Sequence, residues 1–399
     1  METRINNESV EKKILIIALG SINNIGDEYL QETTKYICQQ FVNVSLIEVA
    51  QLKPGRKHLV KSFGINWILG SLLVRFSTIF KNNITYKLKK KAFYIKYSSY
   101  FSSFIKGADK VILPVGMLKY ATQDFSYVFW LINSLCTKYE KDVMMSAMSP
   151  QQANDSDWRY RQLVEAVNMP AVKMITTRDG QAGVDILKRD YLKRDILCDY
   201  VGDPALWIPD VYKIKTEKAE SEAPHVGINV IRRGIFKDYN RSLTDEELHK
   251  IYVDLICLIE QRGWRWSLFY NGMKSDWNVI NELKTEIGFS EEHIIDGCLD
   301  GKMYAEMVSQ FDVVFGARLH SCITSVAVGT PVVGFIWEDK IKYFSETMGI
   351  SDFFFIPQNM TASKIINKME EAMLYHFDYN NRDNYKQKTL DSISRYLLS

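Results

Sequence analysis

The chain alternates short, almost purely apolar runs with longer segments in which apolar residues recur every three or four positions. Runs at 14–19, 44–49, 110–115, 143–148 and 173–179 in the first half, and at 226–231, 266–270, 293–295, 332–336 and 353–356 in the second, read as strands, with a further one ending at Gly316. Continuous hydrophobicity of this kind belongs to parallel strands covered on both faces. The helical segments start at about Asp27 and follow at 128–138, 159–167, 244–262, after Asp276, at 302–310 and at 321–328; TDEEL supplies a capping start for the fourth. A polar, aperiodic stretch at 211–224 reads as a linker between domains 1–210 and 225–375, with helices at 376–399 crossing back. The expected class is α/β: two doubly wound Rossmann-like domains facing each other across a cleft. A length of 399 residues, more than one core usually organises, agrees with two domains.

The most organised stretch is 312–349, DVVFGARLHSCITSVAVGTPVVGFIWEDKIKYFSETMG, which reads as strand, helix, a break at Gly329-Thr330-Pro331, and strand. Arg318 and His320 fall where the first of these strands ends. A fixed cation beside a group that donates protons near neutral pH, next to a helix N-terminus, suits a phosphate or carboxylate ligand. The same pair also reads as a helix cap and a surface contact. The first strand ends in a Gly/Asn-rich turn, where Gly20 and Gly26 permit close approach and Asn23 or Asn24 could donate. Its spacing is not that of a dinucleotide fingerprint, and a glycine turn is also simply how such a sheet turns a corner.

Charge changes the picture at one place. From residue 49 to 108 there is no Asp or Glu, while twelve Lys and Arg, among them Lys53, Arg75, Lys87, Lys91 and Lys106, alternate with Phe, Trp, Tyr and Leu. A basic, aromatic-rich segment at 53–106 suits an anionic membrane surface, or is a solvated helical face over a buried stripe. A net charge of +2 gives no reason to expect nucleic acid. Six dispersed cysteines and six dispersed histidines suggest reduced thiols and no metal. No secretory signal is read, and the apolar run at 65–74 is far shorter than the ~20 residues of a spanning helix, so the expected location is the cytoplasm or the inner face of the cell membrane.

The RLH triplet at 318–320, the small-residue helix after it, GTPVVGF and Lys340 resemble the carboxyl-terminal signature of the polysaccharide pyruvyl transferase family. Further landmarks are Asn24, Gly26, Asp27 and Glu28 at the first helix, Arg178-Asp179, Gly202-Asp203-Pro204-Ala205, and Arg232 at the end of a strand, with Arg233 as the register alternative. Where relatives carry a triple-glycine turn and then an acidic residue, this chain has Pro114-Val115-Gly116 and then Asp124. The architecture resembles that of B-type glycosyltransferases. The resemblance implies transfer of pyruvate from phosphoenolpyruvate to a sugar of a bacterial surface polysaccharide or its lipid-linked precursor, forming a ketal and releasing phosphate. It implies His320, Arg318 and Asp124 as catalytic residues, and Arg232, Asn24, Gly26, Asp27, Lys340 and Glu338 as substrate contacts, with no cofactor and no metal. Asp124 also reads as a helix cap, Arg178-Asp179 and the Asp203 turn as structural. Two other readings stand beside this one: a nucleotide-sugar glycosyltransferase of the same architecture, and a non-catalytic saccharide- or membrane-binding relative.

Overall fold

Each apolar run of the first half becomes a strand of one sheet. β1 (Lys12–Ala18), β2 (Val44–Gln51), β3 (Lys110–Leu113), β4 (Asp142–Met148), β5 (Val172–Thr177) and β6 (Leu197–Tyr200) lie in the order β2-β1-β3-β4-β5-β6, all parallel. The inner strands are buried on both faces, as their composition requires, whereas β2 at the edge leaves Leu46 exposed. Helices α1 (Ile25–Gln39), α2 (Asn83–Ile105), α3 (Phe125–Lys138), α4 (Trp158–Val167) and α5 (Gly180–Ile186) alternate with the strands. The computed structural model describes residues 11–19, 24–52, 83–120, 124–215, 223–295 and 300–399; residues 53–82 of the basic segment and 216–222 of the expected linker lie outside them.

The second sheet contains β7 (His225–Asn229), β8 (Arg265–Phe269), β9 (Val313–Gly316), β10 (Val332–Phe335) and β11 (Phe354–Phe355), in the order β11-β10-β9-β7-β8, again all parallel. The elements between and after them are α6 (Asp245–Gln261), α7 (Lys274–Ile287), α8 (Gly301–Ser309), α9 (Leu319–Val328), α10 (Asp339–Met348), α11 (Ala362–Leu374) and α12 (Asn380–Leu398). Thr244 and Glu247 form the capping box read from the sequence. The run at 293–295 is not a strand: a single helical turn, Glu291–His293, is followed by one isolated bridge from Ile294 to Leu268.

Packing divides the chain into two compact units. One comprises Met1–Gly20, Thr34–Val201 and Lys388–Ser399, the other Ser21–Thr33 and Gly202–Gln387. The division therefore falls at 201/202 rather than in the polar stretch after 210. Two segments are exchanged: the start of α1 packs with the second unit, and the last turns of α12 with the first. Each unit has its own apolar core, and Ile25 and Tyr29 of α1 belong to that of the second. No described helix is long and apolar enough to cross a membrane.

The end of α12 is fastened by a buried tyrosine. The Tyr396 hydroxyl accepts from the Val111 N–H at 3.2 Å and lies 2.9 Å from the Val111 carbonyl and 2.7 Å from that of Asp142. Removing the hydroxyl leaves buried backbone groups without this partner, which costs about 1–3 kcal/mol. Tyr396→Phe is therefore expected to lower the unfolding free energy from urea titration by that amount, seen as a lower midpoint with an unchanged m-value.

Candidate active site

In a doubly wound sheet, consecutive strands proceed outward in both directions from one switch point, and the loops leaving the carboxyl ends there diverge to open a crevice. In the second sheet that point lies between β7 and β9. Arg232 follows β7 and Arg318 follows β9, so strand order alone brings these two distant arginines together.

One carboxylate joins them. Asp276, in the first turn of α7, is fully buried and accepts from Arg318 Nε at 3.0 Å, from Arg318 Nη2 at 2.5 Å and from the Arg232 N–H at 2.9 Å. The two guanidinium bonds make a two-point pair, which fixes the plane of the Arg318 head. They use two of its five N–H donors and leave Nη1 outside the pair. The Arg318 N–H is held in turn by Asn229 Oδ1 at 3.0 Å; Asn229 donates to Asn271 Oδ1 at 3.0 Å, which also accepts from the Tyr304 hydroxyl at 2.8 Å. Burial holds Tyr304 far above the usual phenol range, so it remains a donor.

His320 stands two residues into the site, near the start of α9, a helix buried along most of its length. Its Nε2 lies 3.9 Å from the carboxylate of Asp203, beyond direct hydrogen-bond length but within ion-pair range. Asp203 uses its other oxygen to cap the following turn, accepting from the Ala205 N–H at 2.9 Å. The opposite side of the imidazole rests on Gly26. A methyl group at Gly26 would stand 2.1 Å from His320 Nδ1 and 2.3 Å from Cε1, so only glycine leaves room for the ring. Asn24 closes that turn: its side chain accepts from the Gly26 N–H at 3.2 Å and donates to Asp27 at 3.1 Å. Glu28 accepts from the Gly301 N–H at 2.8 Å, and burial raises its carboxyl above the usual range.

The remaining expected residues divide in two. Lys340 and Glu338 form a 2.7 Å pair beyond β10, with the Lys340 ammonium 5.5 Å from the Trp337 ring; the Trp337 indole donates to the Ala317 carbonyl at 2.7 Å, tying this loop to the one bearing Arg318. The Arg232 side chain pairs with Asp238, while Arg233 turns to Glu282 and Glu246 on the surface. Asp124 belongs to the first unit. It occupies the position before α3 in a left-handed conformation, makes no capping bond and pairs with Lys89 at 2.7 Å. Also in the first unit, Arg178 donates to the Gly116 carbonyl at 2.9 Å and Asp179 accepts from Ser149 at 2.6 Å, both structural contacts. Among the described residues no cluster of His, Cys, Asp and Glu has the makings of a metal site. Cys322, behind the site, has its thiol pushed up to about 12 by burial and is inert near neutral pH.

The family model for polysaccharide pyruvyl transferases matches residues 24–339, a span that includes Asn24, Gly26, Asp276, Arg318 and His320. The chain belongs to that family. No curated protein sequence matches it. Among solved structures, the UDP-GlcNAc 2-epimerase of Methanocaldococcus jannaschii aligns over 97% of this chain and 99% of its own with 9% identity and a TM-score of 0.57. That of Neisseria meningitidis, bound to UDP-GlcNAc, aligns over 97% and 100% with 10% identity and a TM-score of 0.58. A UDP-forming α,α-trehalose-phosphate synthase of Burkholderia xenovorans aligns over 98% of both chains with 10% identity and a TM-score of 0.50. At such identities the likeness is one of fold, and it establishes the two-domain Rossmann-like architecture of B-type glycosyltransferases.

For this pyruvyl transferase family member, sequence reasoning missed Asp276, Asn229 and Asn271, and saw Asp203 only as a turn former. An asparagine at or just beyond the end of an apolar parallel strand, as at Asn229 and Asn271, is a signal that could have found those two; nothing local marks Asp276.

Two outcomes follow from this geometry. Asp276→Ala leaves a mostly buried guanidinium without its carboxylate and is expected to destabilise the fold by about 3–5 kcal/mol in denaturant titration, more than Asp276→Asn. Gly26→Ala is expected to displace the imidazole, seen as a changed His320 ring signal by NMR in a chain that remains folded.

Proposed function

We propose that the chain transfers the pyruvyl group of phosphoenolpyruvate to two hydroxyls of a saccharide, giving a cyclic ketal and inorganic phosphate. The observation that carries this reading is the pairing, at the switch point of the second sheet, of a guanidinium held in one plane with an imidazole seated on a glycine turn. Family membership supports the transfer of pyruvate, and the choice of phosphoenolpyruvate rests on the chemistry those two groups serve.

The donor carries a phosphate and a carboxylate on one enol carbon. In this reading Arg318, through Nη1, and Arg232 hold the anionic groups, with Lys340 and the start of α9 adding positive potential. Glu338 orients Lys340 through their ion pair. Asn24 and Asp27 serve the donor through the turn that seats His320. His320 delivers a proton either to the methylene carbon or to the departing phosphate. Protonation of the methylene leaves an oxocarbenium-like carbon, which the first hydroxyl attacks. Phosphate then departs with its electron pair, and the second hydroxyl closes the ketal. Of the two hydroxyl protons lost, one replaces that given to the methyl group and the other leaves on phosphate. Asp203 stabilises the imidazolium from the side away from Gly26. Asp124 is assigned to the acceptor hydroxyl.

Incubation with phosphoenolpyruvate and an acceptor saccharide is expected to release phosphate, assayed colorimetrically. Arg318→Ala and His320→Ala are expected to lower the rate by at least about 100-fold, the scale of losing a positioned acid or a charge clamp, with circular dichroism unchanged for the histidine variant. Full turnover by either variant removes that residue from the mechanism.

A further inference from the structure

We infer that the outward face of α2 in the first unit docks on an anionic lipid surface. This goes beyond the proposed transfer and does not rest on it. The inner face of α2 is accounted for: Ala92, Phe93, Tyr100, Phe101 and Ile105 are buried in the core of the first unit. The outer face has no such explanation. Helical spacing places Lys87, Lys91 and Tyr94 in one row with Leu88 beside them, and all four are exposed, Leu88 at 48% and Tyr94 at 36%. A face that meets only water is normally polar, whereas here an aliphatic and an aromatic side chain stand beside two ammonium groups. The ring of Tyr94 lies 6.5 Å from that of Trp130 on α3, extending the aromatic strip, and Lys90 lies 4.2 Å from the Trp130 ring.

The charges around the patch are one-sided. The helix itself contains no acidic residue. Glu165 pairs with Lys90 at 2.8 Å and accepts from the Trp130 indole at 2.9 Å; Asp124 pairs with Lys89 at 2.7 Å. Lys87 and Lys91 project from successive turns instead of converging on a pocket, an arrangement that matches a broad sheet of negative headgroups better than a single small anion. Leu88 and the Tyr94 and Trp130 rings have the mixed character of groups that settle at a lipid–water boundary, with lysine stems lying along the apolar surface.

The experiment is co-sedimentation of the full chain with vesicles of phosphatidylglycerol and phosphatidylcholine at about 0.15 M salt. Each lysine near such a surface strengthens binding about five-fold. Lys87→Gln is expected to weaken partitioning by that factor and the Lys87→Gln/Lys91→Gln pair by about 30-fold. Leu88→Ala should weaken the binding that survives high salt. The proposal is overturned if wild type does not sediment with anionic vesicles or sediments equally with neutral ones. It is also overturned if the Lys87/Lys91 pair binds like wild type, if Lys250→Gln/Lys342→Gln on the second unit weakens binding equally, or if the chain binds duplex nucleic acid more tightly than vesicles.

Discussion

The geometry at the switch point of the second sheet depends on one buried carboxylate. Asp276 is withdrawn from water, and its two oxygens are occupied by the Arg318 head and by the backbone that precedes the Arg232 side chain. Taking a carboxylate and a guanidinium out of solvent is costly, and hydrophobic substitutes of equal volume are often as stable. The pair therefore makes most sense as a positioning device. It sets one guanidinium plane where two loops separate, and the Asn229, Asn271 and Tyr304 bonds brace the backbone behind it.

The same pairing alters the electrostatic picture drawn from residue types. Arg318, Arg232 and Lys340 each face a carboxylate, so the site is a set of held cations and not a bare positive cavity. Such a site attracts an anion less from a distance. In the proposed reaction the fixed plane of the Arg318 head lowers the reorganisation that charge development would otherwise require. Gly26 contributes by the same logic: an imidazole resting against backbone has few orientations left.

Much of this was legible in the sequence for physical reasons. Parallel strands buried on both faces are written as continuous apolar runs, so nearly all strands, and the strand–helix–strand around Arg318, could be read directly. Gly329, which ends α9 with φ 81°, marks its break as plainly as its neighbours Thr330 and Pro331. What escaped notice depends on distance along the chain. β6, an edge strand of mixed composition, has no periodicity to announce it. Asp276 sits in Lys-Ser-Asp-Trp, where an acid early in a helix looks like a solvated charge; only folding brings Arg318 over it. The grouping of 21–33 with the second unit is likewise a packing result that local composition does not record. Asp124 was read as acid or cap, and its local structure shows a third use, an ion pair with Lys89.

The account stands or falls on whether the switch point of the second sheet receives a small enol phosphate or a nucleotide. Calorimetric titration of the wild-type chain with phosphoenolpyruvate, and separately with UDP, tests this most directly. Saturable heat with phosphoenolpyruvate, lost in Arg318→Lys because lysine cannot reproduce the fork, and no heat with UDP, is the predicted result. Saturable binding of UDP with no response to phosphoenolpyruvate would contradict it.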